Sequence, residues 1–170
     1  MGVCILIRGP LGVGKTTVAR ALAEQLGGLY VSVDGILAEH GLDKVEGECI
    51  TAENFIKANE LALPQARQAL SEGRAVVFDG NFYHQAQIDH LVEVLPEPHY
   101  AFTLKSPLTV CIDRDSKRAR VYGAGAATAV HTMVSRFDYG VSIDTSEMTL
   151  DDVLEALRGY LPEMLWERAV

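Results

Sequence analysis

Residues 9–16, Gly9-Pro10-Leu11-Gly12-Val13-Gly14-Lys15-Thr16, fit the pattern Gly-x4-Gly-Lys-Ser/Thr at every fixed position. Each residue type there has a physical task. The glycines let the backbone turn so that successive N–H groups converge on an anion, and a helix starting behind them adds its positive amino end. Lys15 carries a mobile positive charge to the outer phosphates of a nucleoside triphosphate, and the Thr16 hydroxyl is a magnesium ligand. With Thr17 completing the segment, Gly9 to Thr17 is the expected cradle for Mg·ATP. The alternative, an ordinary glycine-rich turn, would meet the fixed positions by chance in on the order of one per cent of chains this long. The flanks narrow it further. Val3 to Ile7 is a continuous apolar run, as in a strand buried on both faces, and Val18, Ala19, Leu22, Ala23 and Leu26 recur at helical spacing until Gly27-Gly28.

Outward from this strand, loop and helix, the same alternation continues. Strands are expected at Tyr30–Val33, ending on Asp34-Gly35, at Ala75–Phe78, ending on Asp79-Gly80-Asn81, at Tyr100–Leu104 and at Val141–Ile143. A short helix is expected at Ile36–His40, and a long one over Ala52–Glu72 that Pro64 must kink or split. Further helices fall at Gln85–Val94, from Pro107 behind a Ser106 cap towards Arg118, at Thr128–Phe137, and behind a cap of Thr149 with Asp152. A turn is expected at Pro96 to Pro98. Gly123-Ala124-Gly125 interrupts the chain, either as part of a mobile lid or as a plain glycine-rich connection. The pattern predicts an α/β, three-layer P-loop fold: a five-stranded parallel sheet, right-handed crossovers and helices on both faces. One domain is expected over residues 1–170, with an acceptor-side segment at about 34–72 and a lid at about 114–130. The glycine loop, Asp34 and Asp79 then share the carboxyl edge of the sheet, where ligands bind in open α/β folds.

Composition sets bounds on partners. A chain of 170 residues that is 48% hydrophobic can build one sizeable core. Its first apolar run is too short for a membrane span or a signal peptide, so a soluble cytoplasmic protein is expected. The cysteines Cys4, Cys49 and Cys111 form no paired motif and read as reduced thiols. The five histidines lack metal-ligand spacing and read as surface or packing residues, with His84 alone near the proposed acceptor site. A net charge of −8 disfavours long nucleic acid and anionic membranes as partners. Residues 105–120 run against the trend: Lys105, Arg114, Lys117, Arg118 and Arg120 face only Asp113 and Asp115, a suitable clamp for phosphate or otherwise a solvated helix face. Residues 34–60 hold seven acidic and two basic side chains, which argues against a highly anionic acceptor beside them.

These parts suit phosphoryl transfer. Asp34 is the expected base for an acceptor hydroxyl, unless Asp34-Gly35 is only a turn. Asp79 is the expected second magnesium anchor, unless it caps the next helix. Asn81 is placed to orient the acceptor, with Asp34 and Asp79 beside it. No Asn-Lys-x-Asp segment for reading guanine is present.

Across nearly its whole length the chain resembles the P-loop kinases of the nucleoside-monophosphate-kinase-like group, nearest to the branch of chloramphenicol phosphotransferase, adenylylsulfate kinase and polynucleotide 5′-hydroxyl kinase. Val33-Asp34-Gly35 resembles the catalytic aspartate of the first, and Pro107-Leu108-x-x-Cys111-x-x-Arg114-Asp115-x-Lys117 the start of the lid of the second. The resemblance implies ATP and Mg2+ as donor and cofactor. It implies Arg114 against the adenine or its phosphates, Arg118 and Arg120 on the transferring group, and Asp144-Thr145 in the adenine-contacting loop. Two departures bear on the acceptor: Lys117 is followed by Arg118-Ala119, not by Gly-Leu-Tyr, and Leu37 stands where polynucleotide kinases carry arginine. The function expected is ATP-dependent phosphorylation of a hydroxyl on a small or nucleotide-like acceptor. A polynucleotide 5′-hydroxyl kinase and an ATP-dependent switch without acceptor phosphorylation stay open as alternatives.

Overall fold

A computed structural model describes residues 2–95, 98–119 and 121–167. Pro96 and Glu97 of the expected turn, and Arg120, lie outside the described residues. Five strands form one sheet in which every pairing is parallel: β1 (Val3–Arg8), β2 (Leu29–Ser32), β3 (Ala75–Gly80), β4 (His99–Lys105) and β5 (Val141–Asp144), in the order β2-β3-β1-β4-β5. The helices are α1 (Lys15–Gln25), α2 (Val33–Glu39), α3 (Ala52–Ser71), α4 (Gln85–Val94), α5 (Leu108–Ser116), α6 (Ala124–Val134) and α7 (Leu150–Arg158). Among the described residues, no helix is long and apolar enough to cross a membrane.

Two cores follow from the period of the central strands. On β1, Cys4 and Leu6 point to one face, and Val3, Ile5 and Ile7 to the other; on β3, Val76 and Phe78 are opposed to Ala75 and Val77. The first face packs on α2, α3, α4 and the end of α6, the second on α1 and α7. Both faces being covered is what makes these strands read as unbroken apolar runs. All strands point the same way, so their carboxyl ends converge on one edge, with β1 and its following loop in the middle.

Four local expectations are corrected. Of the two outcomes expected at Pro64, a kink or a split, the split does not occur: α3 continues through it as one helix of 20 residues. The carbonyl freed by the missing N–H belongs to Glu60, and both residues are solvent-exposed, while Ala62, Leu63, Ala66, Ala69 and Leu70 are buried on the opposite side. That burial outweighs a proline cost of about 3 kcal/mol. Asp34-Gly35 is not a turn after β2. The Ser32 Oγ accepts a hydrogen bond from the Gly35 N–H at 3.1 Å, so α2 opens at Val33 and carries Asp34 in its first turn. Ser106 does not cap α5, whose cap position is Pro107; its hydroxyl instead meets that of Thr145 at 3.1 Å. Gly123 (φ 90°) stands in the break before α6, while Ala124 and Gly125 open that helix, which starts ahead of the expected Thr128 and ends at Val134, not at Phe137. Alanines at 124, 126, 127 and 129 outweigh one interior glycine in helix propensity.

Candidate active site

The loop after β1 turns through Gly12 (φ 79°) and Gly14 (φ 101°) before α1 begins at Lys15. At Gly12 the requirement for glycine is double. A side chain would sit in an unfavourable backbone region, and its Cβ would lie 2.1 Å from the Cys111 carbonyl of α5. The loop and α5 therefore touch backbone to backbone. Lys15 is buried, and its Nζ donates across the loop to the Pro10 carbonyl at 3.4 Å. Gly12, Gly14, Lys15, Thr16 and Thr17 wall a cavity of about 230 Å³, which Arg114 and Arg118 close from the α5 side.

Arg114 also borders a second cavity, of about 190 Å³, with Val13, Thr17, Thr145 and Met148 among its walls. Its guanidinium is held by backbone carbonyls: Nη1 donates to Val13 at 3.2 Å, and Nη2 to Thr145 at 3.0 Å and Ser146 at 3.3 Å. One planar cation thus joins the phosphate loop to the β5–α7 loop and offers a fixed surface between the two cavities. Thr145 faces this cavity, whereas the Asp144 carboxylate turns back to accept from the Ser146 N–H at 2.9 Å. Arg118 is partly exposed, 3.8 Å from Asp115, with its guanidinium 5.9 Å from the centre of the Tyr122 ring.

Asp79 lies at the end of β3, in register with Ile7 of β1 and Ser32 of β2. It does not cap α4, whose cap position is His84. One carboxylate oxygen accepts from the Tyr30 hydroxyl at 2.8 Å; the other, Oδ1, is buried without a hydrogen-bond partner. An orphaned, buried carboxylate oxygen next to a phosphate loop fits a hard cation. Among the described residues, no group of three or more His, Cys, Asp or Glu side chains gathers to cage a metal. The donor set, one hydroxyl and one carboxylate, suits magnesium that takes most of its remaining ligands from phosphate and water.

Asp34 is half-buried and electrostatically tied to the phosphate loop. Burial pushes its carboxyl above the usual carboxylate range; Lys15 pulls it down, Asp79 pushes it up and Arg118 pulls it down. It lines a third cavity, of about 290 Å³, with Leu37, Ile50, Asn81, Tyr83 and Met133. Asn81 is buried, and its Oδ1 has no hydrogen-bond partner. His84 does not line this cavity: its Nε2 is engaged by the Ile50 carbonyl at 2.8 Å, behind the wall. The structure thus brings together Lys15, Thr16, Asp34, Asp79, Asn81, Arg114 and Arg118, while Arg120 lies outside the described residues.

Several residues of this arrangement have no signature in the sequence. Tyr30 orients Asp79 from the neighbouring strand. Asp115, buried at the end of α5, accepts from the backbone N–H groups of Tyr122 at 3.1 Å and Gly123 at 2.9 Å. The α6 wall of the third cavity, including Ala129 and Val130, also went unread. Only Asp115 carried a hint, through its place in the Arg114-Asp115-x-Lys117 run.

Comparison with known proteins gives a consistent picture. A family model described as AAA domain matches residues 4–139. A protein of Pyrococcus furiosus provisionally named adenylate kinase is 37% identical over 94 residues, which is 55% of this chain and 49% of that protein. A provisionally named adenylate kinase of Thermococcus onnurineus matches to the same extent, 37% over 94 residues. The chain spans about half the length of the curated relatives it matches. Among solved structures, an unliganded sugar kinase of Janibacter sp. HTCC2649 superposes with a TM-score of 0.76 at 16% identity, covering 94% of each chain. A gluconokinase of Sinorhizobium meliloti 1021 follows with a TM-score of 0.66 at 17% identity, covering 98% of this chain and 97% of its own. At these identities the structures establish a shared fold.

Proposed function

The chain belongs to the AAA domain family, and on that premise we propose that it is an ATP-dependent kinase that transfers the γ-phosphoryl group to a hydroxyl of a small acceptor. The observation that carries this reading is the position of Asp34, on the wall of the third cavity and within electrostatic reach of Lys15. A carboxylate at such a boundary is what a transfer between two substrates requires and what a nucleotide switch does not.

The residues divide the work as follows. The loop from Gly9 to Thr17 receives the triphosphate, with Lys15 on its outer phosphates and Arg114 fixed beside the base and phosphates of the donor. Thr16 and Asp79 would hold magnesium, which when bound would draw charge from the phosphate oxygens. Asp34 accepts the acceptor's proton as its oxygen forms a bond to the γ-phosphorus and the bond from that phosphorus to the ADP oxygen breaks. A carboxylate whose affinity for protons is raised by burial is better matched to that task than an exposed one. Asn81, on the same wall, orients the acceptor. Arg118, with Arg120, covers charge on the transferring group from a lid built on α5 and α6, while α2 and α3 carry the acceptor side of one kinase domain. Free thiols at Cys4, Cys49 and Cys111 suit a reducing, cytoplasmic setting.

A second reading, transfer to a nucleotide, is favoured by the names of the curated relatives. One experiment separates these readings from a switch. Phosphorylated product is followed by mass from Mg·ATP and a panel of alcohols, nucleosides, AMP and 5′-hydroxyl oligonucleotides. Acceptor-dependent product is expected, and Asp34→Asn should slow its formation by roughly 10²- to 10⁴-fold. Transfer at an unchanged rate by Asp34→Asn removes the base assignment, and tight ATP binding with no product from any acceptor removes the kinase.

A further inference from the structure

The wall of the third cavity is specific in what it omits. Of the residues that line it, Leu11, Leu37, Ile50, Val130 and Met133 give aliphatic surface, and Tyr83 and Tyr122 give two rings. Its ionisable groups are Asp34, Asp43 and Glu48, together with the Tyr83 and Tyr122 hydroxyls and the Cys49 thiol. Among the described residues, no lysine, arginine or histidine lines it. Two described cations reach its Asp34 end from outside the wall. Lys15 and Arg118 wall the phosphate cavity, and Arg136 stands 3.8 Å from Glu48, matched to a carboxylate already present. Of the polar residues on the wall, Asp34 lies within electrostatic reach of Lys15, whereas the Asn81 oxygen is buried beneath the surface. A carboxylate accepts hydrogen bonds, so Asp34 calls for a donor.

From this we propose that the acceptor is a largely apolar alcohol that is uncharged or carries an amine, and that nucleoside monophosphates and sugar acids are excluded. The inference rests on the kinase reading above and narrows it. An anionic acceptor entering here would lose hydration against aliphatic walls, meet Asp34 and Asp43 with Glu48 already opposite Arg136, and find no cation among the described residues of the wall. A neutral alcohol instead donates its hydroxyl hydrogen bond to Asp34 and buries its body against Leu37, Ile50, Tyr83 and Met133. An amine adds attraction to Asp43 and Glu48. The volume of about 290 Å³ is at the small end for ligand pockets and holds one compact molecule, not a polymer end with its neighbours.

The test uses the whole chain with four matched alcohols: an aryl-propanediol body bearing no charge, an ammonium group, a carboxylate or a phosphate, with AMP and gluconate alongside. Binding is measured by calorimetry without ATP, and transfer by product mass with Mg·ATP. The neutral and ammonium members should bind, and react with kcat/KM roughly tenfold or more above the anionic ones. In Asp43→Lys/Glu48→Lys that preference should contract or reverse, with the ammonium member losing most. Preference for the carboxylate, the phosphate, AMP or gluconate overturns the acceptor class and leaves the kinase standing. Binding of the neutral members with no transfer to any acceptor supports the class and removes the kinase. Binding of no member overturns the class.

Discussion

Asp34, the proposed base, illustrates how a role in transfer would be set against stability. Its carboxyl is raised above the ordinary range chiefly by burial, so the ionised form is disfavoured in the folded chain relative to the unfolded one. The sign of the pH effect follows. Between the unfolded pKa, about 3.9, and the raised folded value, the folded state holds more protons, so stability declines as pH climbs through that window and stays reduced above it. Asp34→Asn removes the penalty. The variant's urea midpoint should exceed that of the wild type at pH 8, and the difference should shrink as pH falls towards 4, while transfer is lost. A variant less stable than wild type at pH 8 would show that the Lys15 attraction dominates the burial cost. For the same reason the acid limb of kcat/KM should lie above the ordinary carboxylate range, as the base must be ionised to accept a proton.

At the level of elements, the connection from α5 to α6 depends on one carboxylate. Asp115 is buried and receives two backbone N–H groups, from Tyr122 and Gly123, which fixes where α6 begins and which way its cavity wall faces. It also lies 3.8 Å from Arg118. Asp115→Ala leaves both N–H groups without that partner. Such a loss costs about 1–3 kcal/mol, and a displaced arginine and cavity wall can reduce kcat by roughly 10- to 100-fold. Urea unfolding and steady-state kinetics check the two effects, and faster tryptic cleavage after Lys117 and Arg118 would locate the loosening. A variant with normal kcat and unaltered proteolysis would reduce Asp115 to a bystander. This connection also marks the limit of what sequence reveals. α4 and the Thr149–Asp152 capping box could be read directly, because apolar spacing and capping residues are local signals. The start of α2 could not, since it turns on whether the Ser32 hydroxyl finds the Gly35 N–H. The third cavity was further out of reach. Its walls come from residues 11, 34–50, 81–83 and 122–133, which only the fold assembles.

For the molecule as a whole, the carboxyl edge of the sheet is tied together by a residue that sequence reading passes over as the polar end of an apolar run. Arg8 ends β1 immediately before the phosphate loop and is 2% exposed. Its Nε donates to the Phe82 carbonyl at 3.0 Å and its Nη1 to the Thr103 hydroxyl at 3.2 Å. Its Nη2 donates to the Val134 carbonyl at 2.6 Å and the Phe137 carbonyl at 3.1 Å, and the guanidinium lies 4.2 Å from the centre of the Phe137 ring. One side chain thus connects β1, the β3–α4 loop, β4 and the end of α6, where it satisfies a carbonyl that the helix leaves open. Burial lowers its pKa to about 10, which still leaves it charged at neutral pH. A planar fork reaching four oxygens cannot be replaced by the single ammonium of lysine. Arg8→Met should therefore cost about 3–5 kcal/mol, and Arg8→Lys a large part of that, by urea unfolding. The loss should not be uniform. Because Arg8 is the anchor of the α6 end, amide exchange in α6 should quicken more than in α1 or α7, which pack on the opposite face of the sheet. Equal acceleration in all three helices would mean that Arg8 contributes only to global stability, and that the wall of the acceptor cavity is held in place by something else.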